Sequence, residues 1–219
     1  MRKNVRFLSF WLLLTMGMAT VVFNSYGQKN NSKKEVTDPT YYDEGVIING
    51  VKWATRNVDK PGTFAATPES TGMFYQWNRR VGWSATDPMI NSDGGTDWNG
   101  TDSESSIWKK SNDPCPAGWR MPTQQELQKL VNAGSQWTTV NGVEGTLLGN
   151  GLNTIFLPAF GFRSRSDGML GQAGSVGYYW SSTQYNSNVA SFLDFYKGIT
   201  PRVSGYNKAN GILCRCVAE

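Results

Sequence analysis

Three cysteines and no histidine set the chemistry open to this chain of 219 residues. Without histidine, Ser-His-Asp and Cys-His catalysis and every imidazole metal site are excluded. Acid–base or nucleophilic work would fall to carboxylates, Lys, Tyr, Ser or Cys. Cys214 and Cys216 lie two apart in Ile212-Leu213-Cys214-Arg215-Cys216-Val217. If that stretch is a strand, both point to one face, and either could reach Cys115. In an oxidising compartment three cysteines read as one disulfide and one thiol left over. A bridge closing a loop of about 100 residues contributes on the order of 4 to 5 kcal/mol in the chain-entropy model.

The other chemistry-bearing groups suit binding. Between Gln184 and Asn210 stand Tyr185, Asn186, Asn188, Tyr196, Lys197, Arg202, Tyr206, Asn207 and Lys208, interspersed with Gly and Ser. Tyr offers rigid amphipathic area and Asn adaptable hydrogen bonds, the composition of recognition surfaces. The Asp/Asn/Gly density from Asn91 to Asp102 invites a calcium reading, but an EF-hand needs Gly sixth and Glu twelfth. Counted from Asp93 those places hold Trp98 and Glu104, so the stretch reads as a turn-rich surface loop, and neither metal nor cofactor is expected.

The elements that must position these groups are mostly short strands. Asn49-Gly50 and Asn141-Gly142 each sit between apolar runs and predict hairpins over Val46–Trp53 and Trp137–Glu144. Gly72-Met73-Phe74-Tyr75-Gln76-Trp77 reads as core, and Val81–Ser111 as a long polar loop. Thr123-x-x-Glu126 is a capping box opening a helix with Leu127, Leu130 and Val131 on one face and Gly134 at its C′ end. Ile155–Arg163, broken by Pro158, then Gly177–Ser182, Ala190–Tyr196 and Ile212–Val217 read as strands.

Ahead of this lies a leader. Arg2, Lys3 and Arg6 precede an apolar run from Phe7 to Phe23, and Ser25-Tyr26-Gly27 offers a small-residue cleavage site, so 1–27 reads as a signal peptide. Residues 28–43 read as a flexible polar spacer and 44–219 as the folded domain. No Cys follows the apolar run to carry a lipid anchor, and no membrane span is expected after cleavage. The formal charge is +4, from 21 Lys and Arg against 17 Asp and Glu. Losing Arg2, Lys3 and Arg6 leaves a nearly neutral chain, without a field to attract nucleic acid.

Four motifs occur in order: Cys115-Pro116-Ala117-Gly118-Trp119-Arg120-Met121-Pro122-Thr123, Leu157-Pro158-Ala159-Phe160-Gly161-Phe162-Arg163, Tyr179-Trp180-Ser181-Ser182-Thr183 and Arg215-Cys216-Val217. With Gly50-Val51-Lys52-Trp53-Ala54-Thr55-Arg56-Asn57-Val58 before them, they resemble the Fibrobacter succinogenes major paralogous domain of exported Bacteroidetes proteins. The resemblance covers roughly Glu44–Glu219. It implies an α+β, C-type-lectin-like fold: paired N- and C-terminal strands, one or two helices and long ordered loops. It also implies a Cys115–Cys216 disulfide with Cys214 free.

The function this suggests is an exported, non-catalytic binding or adhesion module in the periplasm, on the cell surface or secreted. Its partner would be a surface protein or a glycan, through Tyr185, Asn186, Asn188, Tyr196, Lys197, Arg202, Tyr206 and Asn207. The Glu-Pro-Asn, Gln-Pro-Asp and Trp-Asn-Asp motifs of calcium-dependent lectins are missing, so calcium-independent binding is expected. Other readings are a structural part of a surface appendage and a variable protein of a diversity-generating retroelement. A thiol enzyme similar to the formylglycine-generating proteins would need Cys214 and Cys216 as a reactive pair, and it lacks their active-site motif.

Overall fold

The computed structural model describes residues 38–219. The expected leader and the spacer up to residue 37 lie outside the described residues. In chain order the elements are β1 (Val46–Ile48), β2 (Val51–Trp53), β3 (Phe74–Tyr75), β4 (Gly82–Trp83), β5 (Trp119–Arg120), α1 (Gln124–Val131), β6 (Ser135–Val140), β7 (Val143–Asn150), β8 (Asn153–Pro158), β9 (Phe162–Arg163), β10 (Leu170–Gly171), β11 (Val176–Gln184), β12 (Val189–Tyr196), β13 (Ile199–Asn207) and β14 (Val217–Ala218). This is an α+β arrangement of mostly antiparallel strands, with one α-helix among the described residues.

Both Asn-Gly hairpins form. Asn49 and Gly50 take φ of 48° and 77°, and Asn141 and Gly142 take 49° and 82°, the left-handed pair that a two-residue I′ turn demands. Ile48 therefore faces Val51, and Val140 faces Val143. β14 inserts beside β2, with Val217 opposite Trp53, and pairs on its other side with β5. The first and last strands of the described domain thus share a sheet ordered β1-β2-β14-β5. Two three-stranded meanders, β6-β7-β8 and β11-β12-β13, supply most of the remaining ladder.

The helix begins as its sequence dictates. Thr123 accepts from the Glu126 N–H, and the Glu126 carboxylate accepts from the Thr123 N–H at 2.8 Å. Leu127 and Leu130 are buried against the sheets. The C-cap is Asn132, so Gly134 lies one place beyond the expected C′ position, where its φ of 99° turns the chain into β6.

The structure departs from the expected chain at three points. The strand over Ile212–Val217 is reduced to Val217–Ala218. Gly211, Ile212 and Leu213 make only single bridges to Arg163, Tyr75 and Tyr179. Cys214–Cys216 is held instead by separate bonds from the Val58 N–H to Cys214 O and from the Ala54 N–H to Cys216 O, while Arg215 turns inward. Within Gln184–Asn210 the expected strand over Ala190–Tyr196 forms as β12, and an edge strand that was not expected, β13, follows it. Pro201, which an edge strand tolerates, and Gly205 had masked β13. Finally, the packed chain starts upstream of Glu44: Asp43 is buried and ion-paired to Arg56 at 3.1 Å, and Arg56 also donates to Pro39 O and Tyr42 O.

Cys115 and Cys216 form a disulfide across 101 positions, and Cys214 is a buried free thiol. The bridge sits in a second core of Trp77, Trp180, Tyr75 and Met121, beside the first core between α1 and the sheets. No helix among the described residues is long and apolar enough to cross a membrane.

Candidate binding site

The β11-β12-β13 sheet decides where the expected binding residues go. Tyr185, Asn186 and Asn188 occupy the β11–β12 turn, where Asn186 Oδ1 accepts from the N–H groups of Asn188 and Val189. Asn207 ends β13 beside that turn, paired with Val189. Tyr196 and Lys197 lie at the opposite end of β12, roughly 23 Å away along seven residue steps. The eight residues therefore do not form one patch.

Alternation sorts them further. Tyr206 packs with Phe162, Tyr178 and Phe192 on one sheet face, its ring 5.0 Å from that of Phe192. Burial, with a smaller contribution from neighbouring Tyr178, pushes its hydroxyl up to about 12. Arg202 lies on the same face and pairs with Asp194, itself opposite Tyr178. Tyr185 is 66% exposed and lies over Gly205, on the other face. A Cβ at Gly205 would meet Val189 Cγ1 at 2.7 Å.

The turn end of this sheet meets the polar loop after β4. Two amides buried in the aromatic run hold that loop. Gln76 donates to Asn99 O at 2.6 Å and to Ala209 O at 2.8 Å. Asn78 accepts from the Lys109 N–H at 2.8 Å and donates to Ser103 Oγ. Asp102 accepts from the Ala209 N–H at 3.1 Å and from Asn207 Nδ2 at 3.3 Å. Lys208, fully buried, donates to Ser105 O at 2.9 Å and to Ser187 O at 2.8 Å, with its ammonium 4.6 Å from the Trp77 ring centroid. One cation thus fastens the loop to the β11–β12 turn. Desolvation lowers its pKa, and Asp102 acts in the opposite direction.

Two clefts open on either side of Asp102–Ser105. The larger, about 710 Å³, is bordered by Arg79, Asn99, Glu104, Lys109 and Asn112. The smaller, about 320 Å³, lies between Glu104, Ser106, Gln184 and Asn188. Arg79 Nε on one wall and Gln184 Oε1 on the other are buried and make no hydrogen bond among the described residues. Of the cleft-lining side chains, the sequence marks Asn188 for binding and Asn91, Asp97, Asn99 and Asp102 only as parts of a calcium-like stretch; Arg79, Glu104, Lys109 and Asn112 carry no such mark. The signal available was Gln76 and Asn78 flanking Trp77 in an otherwise apolar run, a position for amides only if they bond inward.

The lining offers carboxylates, amides, hydroxyls and cations at fixed positions, which suits hydrogen bonding to a polar ligand. Among the described residues no cluster of three or more Asp, Glu, Cys or His side chains could hold a metal ion. Asn91 of the calcium-like stretch spends its Oδ1 on the N–H groups of Asp93 and Gly95. The free Cys214 thiol is pushed well above its usual pKa, by burial first and by Asp113 second, the reverse of what a reactive thiol needs. Comparison with protein-family models, curated proteins and solved structures found no match for this chain.

Proposed function

We propose that the chain is an exported, non-catalytic binding module whose polar ligand seats in the paired clefts beside Asp102–Ser105. The observation that carries this reading is the coincidence of those clefts with two buried polar atoms, Arg79 Nε and Gln184 Oε1, that have no partner among the described residues. Native proteins rarely leave such groups unpaired, and a bound ligand or ordered water is a usual reason. The loops around the clefts are fixed by Gln76, Asn78 and Lys208, so little ordering cost attends binding.

The four ordered motifs support membership of the Fibrobacter succinogenes major paralogous domain family and a C-type-lectin-like scaffold. The sheet uniting β1, β2 and β14 is compatible with the terminal pairing which that scaffold has. The disulfide supports an oxidising compartment outside the cytoplasm. A non-catalytic role is favoured by the lack of histidine in the sequence and by the burial of Cys214.

Binding to glycan and surface-protein arrays tests the proposal. The Glu104→Ala, Lys109→Ala, Asn188→Ala triple variant is expected to lose the signal, whereas Tyr196→Ala keeps it. Equal binding by the triple variant would remove the clefts as the site.

A further inference from the structure

A second concave surface runs past Trp119 and the disulfide. Two clefts, of about 590 and 680 Å³, share Arg80, Cys115, Ala117 and Trp119 as lining. The second is flanked by Tyr41 and Tyr42, 50% and 48% exposed, and by Lys52. Trp119 is fixed by an edge-on contact with Phe64, centroids 5.6 Å apart, and by β5 pairing with β14. The groove therefore presents aromatic faces on a rigid floor.

Its charges are unbalanced. Lys110 pairs with Glu219 and Arg120 with Glu126, while Asp43 is taken by Arg56. The Asp113 carboxylate accepts from the N–H groups of Cys115 and Met121 and forms no ion pair among the described residues. Arg80 and Lys52 remain without a carboxylate among the described residues. Lys52 holds its ammonium 6.0 Å from the Trp119 ring, and Arg80 uses Nη1 on Asp113 O at 3.0 Å. The rest of the exposed Arg80 guanidinium, where the clefts meet, is open to a planar anion.

We infer that this groove is a second binding site, sharing Arg80 with the cleft of about 710 Å³, for an acidic oligosaccharide, with Arg80 receiving a uronate carboxylate and Trp119, Tyr41 and Tyr42 offering ring faces to the sugars. Aromatic faces bordered by hydrogen-bonding groups match the alternating apolar and hydroxyl surfaces of a pyranose. An acidic peptide is disfavoured because the nearest sheet edge, β5, is two residues long and offers little backbone for strand addition.

Calorimetric titration of the protein with tetramers of galacturonate, guluronate and hyaluronan, against neutral galactan and tetraglutamate, tests this. At least one uronate is expected to bind, with affinity falling as salt rises. Arg80→Gln should weaken it at least about tenfold, the loss of a charge-assisted bond. Tyr42→Ala, at an exposed position, serves where Trp119 substitutions disturb folding, and it should weaken binding severalfold. The Glu104, Lys109, Asn188 triple variant should bind uronate like the parent, which separates this site from the clefts beside Asp102–Ser105. No uronate binding, binding indifferent to both Arg80→Gln and Tyr42→Ala, or equal binding of tetraglutamate would each overturn the inference.

Discussion

Arg215 Nη2 donates to Asn57 Oδ1 at 2.7 Å, and Nε donates to the same oxygen at 3.0 Å. The pair joins residues 158 positions apart in the centre of the domain. Arg215 is 1% exposed, and its other bonds go to Ala54 O and Phe156 O, so its acceptors are neutral oxygens. Desolvation pushes its pKa down to about 10, still high enough to keep the charge at neutral pH. A cation buried among carbonyls persists because every guanidinium nitrogen has at least one acceptor; without them the desolvation cost would dominate.

Arg215→Met would therefore leave Asn57 Oδ1 and the carbonyls of Ala54 and Phe156 without these donors. Each buried orphan costs about 1 to 3 kcal/mol, so a loss of about 3 to 4 kcal/mol follows once the structure relaxes. Thermal unfolding should show Tm lower by roughly 10 °C for a domain of this size. A shift under about 2 °C would mean that the network contributes little.

The disulfide should matter by a comparable amount for a different reason. Its loop spans 101 positions, and removing it frees the unfolded chain. The Cys115→Ser, Cys216→Ser double variant is expected to lose about 4 kcal/mol in denaturant unfolding. Reducing agent should destabilise the parent similarly and leave the double variant unchanged.

How much of this could be read beforehand depended on whether the determinant was local. Asn49-Gly50, Asn141-Gly142 and Thr123-x-x-Glu126 set backbone geometry by themselves, and their elements formed where expected. β13 did not announce itself because Pro201 and Gly205 interrupt its alternation. Lys208 reads from sequence as part of a recognition surface, and no local signal marks Arg215 as buried; the burial of both depends on Ser105 and on Asn57, far along the chain. The site was half legible for the same reason. The β11–β12 turn residues were visible as Tyr and Asn, but the facing wall comes from a loop whose order depends on Gln76 and Asn78.

The capping box predicts a pH signature. Burial raises the Glu126 pKa, but the hydrogen bond from Arg120, the Thr123 N–H and the Arg120 charge outweigh it, and the net shift is downward. A folded-state pKa below the unfolded one contributes stability above about pH 4.3 that is lost as pH falls through the folded value. Glu126→Gln should cost about 1 kcal/mol near pH 7 and progressively less below about pH 4. Chemical denaturation of both proteins across that range checks it; a pH-independent difference would assign the effect to packing.

Lys208 is the point at which stability and binding meet. Its ammonium bridges Ser105 O and Ser187 O, and its backbone N–H donates to Asn188 O at 3.0 Å. Lys208→Met keeps the stem over Trp77 and removes only the charged head. Two partly buried carbonyls would lose their donor, costing about 1 to 2 kcal/mol. The loosening should be local, because Gln76 and Asp102 still anchor other parts of the loop. Hydrogen exchange should then rise in residues 99–109 and 184–189 with little change in β6-β7-β8. Ligands of the clefts beside Asp102–Ser105 should bind the variant more weakly, whereas binding in the Trp119 groove should not change. Uniform exchange across the domain would show that Lys208 serves the core and not the loops.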